Sequence, residues 1–415
     1  MSGQGDRRDA ERGVRARHFA RVVLAAVAAA TAAPLLGAQV ADSVATRAVA
    51  PGVTHQRLVR LAGPWVVNLL TVDLRRNDLA LRHVRALDRL RGREKISAIA
   101  ARLAATGAEV LAAVNADFFD LATGENENNQ VVDGEWWKGV KVTGSPFDTF
   151  DNVHTQFALD ALGRPLLDRF VFDGEVRGAA GAVPLLALNA ARAPGPEGAV
   201  LFTARFGGAT ARDTANQVAE APLLAAGRRA DTLLYVRRGA VRASSGGAIP
   251  GGGAVLAGYG PRAARVAAFA EGETLAVVLG ASPRTIGAAP LALLVGGWPR
   301  LLADGANVVE RAASVEGTIS RNAEVRHPRT AIGFSRDSTM LVLVTVDGRS
   351  ARSAGMTLVE LAGLMRELGA WQALNFDGGG STTMVVRDAI VNTPSDPSGE
   401  RSVGNALVLV RRAPR

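Results

Sequence analysis

The apolar positions in the last third of the chain follow first a strand pattern and then a helix pattern. Met340–Val346 is an uninterrupted, β-branched apolar run of strand length, and it stops at Asp347. Thr357 and Glu360 have the spacing of a capping box, and the apolar residues after them keep helical spacing until Gly369. The pattern predicts a buried strand that ends at an acid, followed by a helix that packs against the core.

A second strand is predicted at Trp371–Phe376, and it delivers Asp377 just beyond its end. If the two strands lie parallel, as the helical crossover between them permits, Asp347 and Asp377 emerge at the same edge of the sheet. Two carboxylates at one edge are the arrangement that glycosyl transfer requires. The alternative is that each aspartate only caps a turn, which Asp-Gly sequences often do.

The segment after Asp377 combines glycines with hydroxyl side chains, in the order Gly378–Gly380 and Ser381–Thr383. Three consecutive glycines allow backbone N–H groups to approach an anionic or sugar ligand without interference from side chains. We therefore interpret the segment as an active-site loop, with a tight turn between two strands as the alternative. No lysine follows the glycines, so a nucleotide-binding loop of the Walker type is not indicated.

Two further polar segments border predicted strands. Arg326–Gly333 is a basic cluster that runs into a strand, where Arg329 could offer a guanidinium fork to a phosphate or carboxylate and Thr330 a hydroxyl partner. Glu109–Val114 is a short strand that ends in the polar segment Asn115–Asp117. Both segments are therefore candidates for the same site as the glycine loop.

Taken in order, these polar segments resemble the phosphodiester glycosidase family. The similarity is strong from Ala323 to Val410 and patchier between Leu58 and Asn322. The segments that carry it are Val114–Phe119, Arg326–Gly333, Asp347–Arg349, Asn375–Thr382 and Thr393–Asp396. The resemblance implies a hydrolase that cleaves the glycosidic bond of a sugar 1-phosphodiester or phosphorylated glycan, releasing a free sugar and a phosphomonoester.

A sugar 1-phosphodiester has a phosphate monoester as its leaving group, with a second pKa of about 6. Such a group departs without much protonation, so the site needs one carboxylate near the anomeric carbon, as nucleophile or water-activating base, more than a strong acid. We expect Asp377 to be this carboxylate and Asp347 to be its partner or a ligand of a sugar hydroxyl. Arg329 and the N–H groups of Gly378–Ser381 would stabilise the charge on the departing phosphate.

The predicted site therefore has a catalytic and a substrate-binding part. The catalytic residues are Asp377, Asp347 and Arg329. The residues expected to contact the substrate are Asn115, Asp117, Thr330, Arg349, Gly378, Gly379, Gly380, Ser381 and Thr382.

Two other classes of function remain compatible with the sequence. The first is a metal-dependent phosphodiesterase that cleaves a P–O bond, with Asp117, Asp347 and Asp377 as ligands of a hard cation. The second is a non-catalytic envelope protein that binds glycans through the glycine loop and the neighbouring aromatic residues Trp136 and Trp137. The five histidines are scattered without zinc spacing, so the prediction is that no cofactor is required and that Ca²⁺ or Mg²⁺ is the remaining metal option.

Residues 1–41 have the pattern of a secretory signal peptide or an N-terminal anchor. Six arginines between Arg7 and Arg21 precede the alanine-rich apolar segment Val22–Leu36. We expect cleavage near Ala38–Ala41, export to the periplasm, cell envelope or medium, and membrane contact only through an uncleaved segment. The chain has no cysteine, so its stability does not depend on disulfides.

The net charge of +9 does not indicate a nucleic-acid partner. The leader's six arginines and three acids supply +3 of this charge, so the mature remainder is less basic. We find no basic-aromatic stripe, zinc-finger spacing or recognition helix, which are the usual sequence signals of nucleic-acid binding. The expected partner is therefore the phosphorylated sugar, and the sequence does not fix the oligomeric state.

At 415 residues with 48% hydrophobic composition, the chain can bury a large core. We predict an α+β fold with a single large mixed-sheet domain, helices packed on the sheet, and a β-rich middle section over Thr155–Val278. Residues 42–56 are predicted to be a short linker, and 57–412 the catalytic domain.

Three local predictions concern the first half of this domain. Alternating apolar residues predict a hairpin over Trp65–Val84, and helical spacing predicts a helix at Ile96–Ala105. Gly124–Gly134 is polar and rich in asparagine, which is typical of a surface loop.

Overall fold

Strands dominate the part of the chain that the computed structural model describes, namely residues 43–143, 154–190, 198–283, 289–316 and 324–412. The predicted leader at 1–41 and its cleavage near Ala38–Ala41 lie outside these ranges. Within them, no helix has the length and apolar character needed to cross a bilayer.

The strands, in chain order, are β1 (Ser43–Ala50), β2 (Val53–Arg60), β3 (Trp65–Asp73), β4 (Leu79–Arg85), β5 (Glu94–Lys95), β6 (Glu109–Asn115), β7 (Gln130–Val132), β8 (Glu135–Val140), β9 (Gln156–Asp160), β10 (Pro165–Asp168), β11 (Val171–Gly178), β12 (Gly181–Leu185), β13 (Ala187–Leu188), β14 (Gly198–Thr203), β15 (Val218–Arg229), β16 (Thr232–Arg237), β17 (Gly253–Tyr259), β18 (Thr274–Ser282), β19 (Leu291–Gly296), β20 (Arg300–Ala303), β21 (Ala306–Asn307), β22 (Arg329–Phe334), β23 (Met340–Val346), β24 (Gln372–Phe376), β25 (Met384–Val386), β26 (Ala389–Ile390), β27 (Ser402–Val403) and β28 (Asn405–Arg411). The helices are α1 (Ile96–Ala105), α2 (Pro261–Ala267), α3 (Val309–Val315) and α4 (Leu358–Glu367), with short 3₁₀ turns at Ala86–Asp88 and Gly379–Ser381.

The described strands form one eight-stranded, one thirteen-stranded, one five-stranded and one two-stranded sheet. The eight-stranded sheet has the order β1-β2-β3-β23-β22-β24-β20-β21, and the five-stranded sheet has the order β26-β25-β6-β28-β4. The thirteen-stranded sheet runs β10-β9-β19-β7-β8-β13-β14-β17-β15-β16-β18-β11-β12, and its β13 and β14 are parallel.

The central strands of the eight-stranded sheet are buried on both faces because their residues alternate between two apolar cores. In β23, Leu341 and Leu343 join the core shared with the five-stranded sheet, whereas Val342 and Val344 join the core under α4. Helix α1 covers the other face of the five-stranded sheet. Burial on both sides explains why β23 reads as a continuous apolar run rather than an alternating one.

The predicted helices and strands around the candidate site are confirmed. Helix α1 has the bounds expected from its apolar spacing, and α4 begins at the predicted capping box, where Thr357 accepts from the Glu360 N–H. Gly369, with φ at +87°, follows the end of α4. The predicted α+β class is confirmed only in its general form, because the structure is predominantly β with few helices.

Two predictions at the start of the domain are wrong. The linker predicted at 42–56 is wrong from Ser43 onward, because β1 pairs with β2 from Ser43 to Ala50 and forms an edge of the eight-stranded sheet. Trp65–Val84 is not a hairpin: β3 pairs with β2 and β23, whereas β4 pairs with β28 in another sheet. Alternation predicted each strand correctly but carried no information about its partner.

The prediction of a surface loop at Gly124–Gly134 is also wrong, since Asn126, Asn128 and Asn129 are fully buried. Their amides are hydrogen-bonded inside the protein; Asn129 Nδ2, for example, donates to the Phe170 carbonyl at 2.6 Å. Polar composition predicted exposure, but internal partners make burial of these side chains possible. The β-rich middle section from Thr155 to Val278 is confirmed.

Candidate functional site

The candidate site lies at the edge of the eight-stranded sheet where β22 begins and β23 and β24 end. Strand β22 is antiparallel to both neighbours, so β23 and β24 run parallel to each other with β22 between them. Asp347 and Asp377 therefore leave the sheet at the same edge, as predicted. Neighbouring strands are about 4.8 Å apart, which separates the two strand ends by roughly 10 Å.

Asp377 combines partial exposure with an unusual environment for its carboxyl group. Desolvation by the surrounding protein raises the pKa of Asp377 to about 6, while hydrogen bonds from Ser381 and from the Gly378 N–H, together with the positive charge of Arg401, oppose that rise. Its backbone N–H donates to the Ala116 carbonyl at 2.8 Å. The carboxylate is thus fixed in place, and its pKa lies near neutrality, as a general base requires.

The glycine loop is shaped by contacts with the protein itself. Gly379 has φ at +59°, a left-handed conformation that favours glycine, and its N–H donates to the Pro328 carbonyl at 2.9 Å. A Cβ at Gly380 would collide with the Asp396 carboxylate and the Arg401 guanidinium. The space that we expected a ligand to use at Gly380 is therefore filled by an ion pair.

This ion pair was missed by sequence reasoning. Arg401 donates to both carboxylate oxygens of Asp396, at 2.7 and 3.0 Å, and approaches the Ser381 hydroxyl at 3.4 Å. Asp396 lies in a segment that carried the family resemblance, which was the available signal. Arg401, five residues later, belongs to no local motif.

Asp347 is buried, with 5% of its surface exposed, and burial raises its pKa, while hydrogen bonds from Thr393 lower it. The Thr393 N–H donates to the Asp347 carboxylate at 3.1 Å. The segment 393–401 therefore contacts Asp347 directly, through Thr393, and influences Asp377 through the charge of Arg401 and the Arg401 contact with Ser381.

Arg329 does not have the position expected of a phosphate ligand. It is buried, and its guanidinium donates to the carbonyls of Met356 and Val325 at 2.8 and 2.9 Å. Burial lowers the pKa of Arg329 to about 10, and the charge of Arg349 acts in the same direction. These contacts make Arg329 a support for the loops at this edge.

Arg349 is the exposed cation of the site. Its Nη2 lies 3.4 Å from the His327 Nδ1 and over Gly379, where a Cβ would be 3.0 Å from that nitrogen. Its Nη1 lies 3.5 Å from the Ser395 hydroxyl. Partial burial, followed by the charges of Arg329 and Arg349, lowers the pKa of His327. His327 thus joins Arg349 beside the glycine loop.

Most of the other residues predicted to contact the substrate are buried, and their side chains hydrogen-bond to the protein or pack inside it. Asn115 is fully buried and its Oδ1 accepts from the Thr330 hydroxyl at 2.8 Å and from the Thr383 N–H at 3.1 Å. Ser381 and Thr382 are also buried. Asp377, Gly378, Gly379, His327 and Arg349 are partly or fully exposed, as are Thr393, Asp396 and Arg401 of the segment 393–401.

Asp117 belongs to a separate network. Its carboxylate accepts from the side chain and the N–H of Asn128, at 2.7 and 3.3 Å, and a Cβ on Gly296 would collide with it. Burial raises the pKa of Asp117 to about 6, against the hydrogen bonds from Asn128 and the charges of Lys138 and Arg85. The Asp117 carboxylate is therefore engaged by Asn128, while the carbonyl of its neighbour Ala116 accepts from the Asp377 N–H.

Within the described ranges, no three His, Asp or Glu side chains lie together in a group that could hold a metal ion. The three aspartates proposed as cation ligands are instead held by different partners: Asp117 by Asn128, Asp347 by Thr393, and Asp377 by Ser381 and Gly378.

Residues 231–410 match the phosphodiester glycosidase family. The mouse N-acetylglucosamine-1-phosphodiester α-N-acetylglucosaminidase is 31% identical over 114 residues, which are 26% of this chain and 22% of the mouse protein. The chain therefore spans less than a quarter of that relative's length. The match confirms the family resemblance predicted from the sequence.

Two solved structures are similar over most of the chain. A hypothetical protein from Synechocystis has a TM-score of 0.70 at 22% identity, covering 89% of this chain and 64% of that one, and it supports the fold alone. A protein from Burkholderia pseudomallei K96243 whose export is inferred has a TM-score of 0.64 at 29% identity, covering 86% of this chain and 76% of that one.

Proposed function

We propose that this chain, whose residues 231–410 carry the phosphodiester glycosidase resemblance, hydrolyses the glycosidic bond of a sugar 1-phosphodiester. The products are a free sugar and a phosphomonoester. The observation that carries the proposal is Asp377: a fixed, partly exposed carboxylate at a strand end, with an adjacent exposed arginine over the glycine loop.

In this reaction Asp377 acts at the anomeric carbon. As a base, it takes a proton from a water molecule whose oxygen forms a bond to C1, while the C1–O bond to phosphate breaks and its electron pair stays on the phosphate oxygen. As a nucleophile, its carboxylate oxygen would bond to C1 as the C1–O bond to phosphate breaks. Water would then attack C1, lose a proton to solvent and break the bond to Asp377, giving the same products. A pKa of about 6 keeps Asp377 ionised at neutral pH in either role.

The departing phosphate carries the negative charge, so the site needs positive groups more than an acid. Arg349 meets this need better than Arg329, because its guanidinium is exposed over Gly379 while Arg329 serves buried carbonyls. We therefore assign the phosphate contact to Arg349, with His327 beside it, and give Arg329 a positioning role.

We assign Asp347 to the sugar side of the site. It leaves the sheet at the same edge as Asp377 and is held by the Thr393 N–H. A carboxylate fixed in this way can accept a hydrogen bond from a sugar hydroxyl and so orient the ring for attack at C1.

The experiment that tests the proposal is hydrolysis of an N-acetylglucosamine 1-phosphodiester in oxygen-18 water. Cleavage of the C1–O bond places the label in the sugar, whereas the rival P–O cleavage places it in the phosphate. We expect label in the sugar and turnover that survives a chelator. Label in the phosphate, or activity lost with chelator and restored by Ca²⁺ or Mg²⁺, would favour the metal-dependent phosphodiesterase.

We also infer export of the chain, from its basic and then apolar leader and its similarity to a protein whose export is inferred. N-terminal sequencing of protein from the cell envelope or medium tests this inference. The expected start lies near Ala38–Ala41, and a cytoplasmic protein that retains Arg7 would contradict it.

A further inference from the structure

A cleft of about 740 Å³ opens in the thirteen-stranded sheet, and its lining includes none of the site residues described above. Its volume lies within the range of small-molecule binding sites, which is roughly 300–1,000 Å³. We propose that this cleft is a second binding site, specific for a neutral glycan, that holds sugar rings outside the catalytic edge.

The cleft arises because the sheet curls back on itself. Strands β8 and β11 have six strands between them in the sheet order, yet Trp136 of β8 packs against Phe172 of β11 with ring centroids 5.5 Å apart. The interior of this curl is filled by an apolar core that includes Leu188 and Leu201, both fully buried. Curled sheets of this kind enclose cavities that can hold one small ligand.

Two aromatic side chains in the lining of the cleft could contact a sugar. Trp136 and Tyr235 both belong to the lining. In the described part of the chain, neither the Trp136 indole N–H nor the Tyr235 hydroxyl has a hydrogen-bond partner, and neither of these polar atoms is fully buried. Trp136 is half-buried and offers a flat apolar surface, whereas Tyr235 is buried, with 8% of its surface exposed, and offers its hydroxyl. Together they suit a sugar ring, which has an apolar face and hydroxyl edges.

The charges of the cleft select against an anionic ligand. The charged residues of the lining are Glu135, Asp173, Glu175, Asp231, Arg205 and Arg228. Arg205 is paired with Glu135 at 2.8 Å and lies over the Trp137 ring at 4.1 Å, and Arg228 lies 4.0 Å from Asp231. Carboxylates therefore outnumber guanidinium groups, and the cations already have partners. Glu175 is paired with Arg177, so Asp173 is the carboxylate of the described lining that has no ion-pair partner. The described lining therefore offers a phosphate no unpaired cation, whereas a sugar hydroxyl can donate to Asp173.

Trp137 does not share this role, because it is buried and covered by Arg205. The paired-tryptophan platform considered from the sequence is thus reduced to Trp136 alone, with Tyr235 as its partner. Glu135 lies near Tyr235, and burial followed by this charge raises the pKa of the tyrosine, which keeps its hydroxyl protonated as a donor.

The test is calorimetric titration of the full chain with chitotetraose, cellotetraose and maltotetraose, and with N-acetylglucosamine 1-phosphate as the anionic comparison. We expect saturable binding of at least one neutral oligosaccharide. Trp136→Ala should weaken it at least 10-fold, and Tyr235→Phe, which removes only the hydroxyl, should weaken it about 3-fold or more. Trp371→Ala, at a tryptophan covered by Arg336 outside the cleft, should leave it unchanged.

Asp377→Asn separates this proposal from the proposed catalytic function, because it alters only the sheet edge. Glycan binding should persist in Asp377→Asn and be weakened in Trp136→Phe and Tyr235→Phe, variants that conserve the packing against Phe172 or the ring itself. The proposal is overturned by absence of binding for all three oligosaccharides, by binding insensitive to Trp136→Ala, or by binding lost only in Asp377→Asn. Saturable binding of a dodecyl chain, with no binding of the three oligosaccharides, would also overturn it.

Discussion

The Nδ2 of Asn115 donates a hydrogen bond of 2.6 Å to the carbonyl of Asp377. Asn115 ends β6 in the five-stranded sheet, whereas Asp377 follows β24 in the eight-stranded sheet. The bond therefore joins these two sheets at the point where the candidate carboxylate leaves its strand. The position of Asp377 depends on the packing of both sheets.

Asn115→Ala should lower the stability of the fold as well as activity. The change leaves the Thr330 hydroxyl and the Thr383 N–H without their acceptor inside the protein, and each lost partner costs roughly 1–3 kcal/mol. Denaturant unfolding measures the effect, with Asn77→Ala, at an exposed turn position, as the matched control. If Asn115 instead contacts substrate directly, its loss would raise KM while the unfolding midpoint stays at the wild-type value.

Local sequence patterns predicted the elements that carry the acids, because β23, α4 and β24 each have a clear period and clear ends. They also predicted that Asp347 and Asp377 share an edge. They did not predict the ion pair of Arg401 with Asp396, because this pair reaches the site only where the segment 393–401 lies against Gly380. Likewise, the polar segment around Asn128 reads as exposed, since nothing in the local sequence shows that Asp117 is its partner.

The same limit explains the assignment of Arg329. A basic residue before a strand could serve a phosphate or the protein's own carbonyls, and only the contacts with Met356 and Val325 distinguish the two. We therefore propose Arg349, which the sequence placed among the substrate contacts, for the phosphate contact in place of Arg329.

Asp377→Asn should preserve the fold and lower kcat/KM by at least ~100-fold, the lower range for loss of acid-base or nucleophilic help. The amide is nearly isosteric with the carboxyl group but cannot take a proton from water or attack C1. Measurement on a sugar 1-phosphodiester is paired with the melting temperature. Near-normal activity, or loss explained by unfolding, would defeat the catalytic assignment, because an aspartate that only caps a turn is replaced well by asparagine.

Arg349→Lys and Arg329→Lys should have different consequences. Arg349→Lys keeps the charge but loses the planar fork, so kcat/KM for the phosphodiester should fall roughly 10-fold with little change in stability. Arg329→Lys should lower the unfolding free energy by roughly 1–3 kcal/mol, since a lysine cannot reproduce both carbonyl contacts. Steady-state kinetics and denaturant unfolding of both variants test this difference. If Arg329→Lys loses activity and Arg349→Lys loses stability instead, Arg329 is the residue that contacts the phosphate.

Arg401→Gln should shift the pH profile of the reaction. Activity requires ionised Asp377, so kcat/KM should rise with pH through the pKa of about 6. The positive charge of Arg401 lowers that pKa, so its removal should raise the pKa and move the acidic limb to higher pH. Because Asp396 partly neutralises Arg401, we expect a shift near the lower end of the usual range for a nearby opposite charge, about one pH unit.

The matched control for Arg401→Gln is Arg75→Gln. Arg75 is also paired with an aspartate, Asp73, but that residue pairs with Met340 at the opposite end of β23 from Asp347. The control should leave the acidic limb where it is in the wild type. If Arg401 only holds the 393–401 segment in place, its variant would lose activity equally at every pH, and a limb that stays near pH 6 would reject an electrostatic role for Arg401.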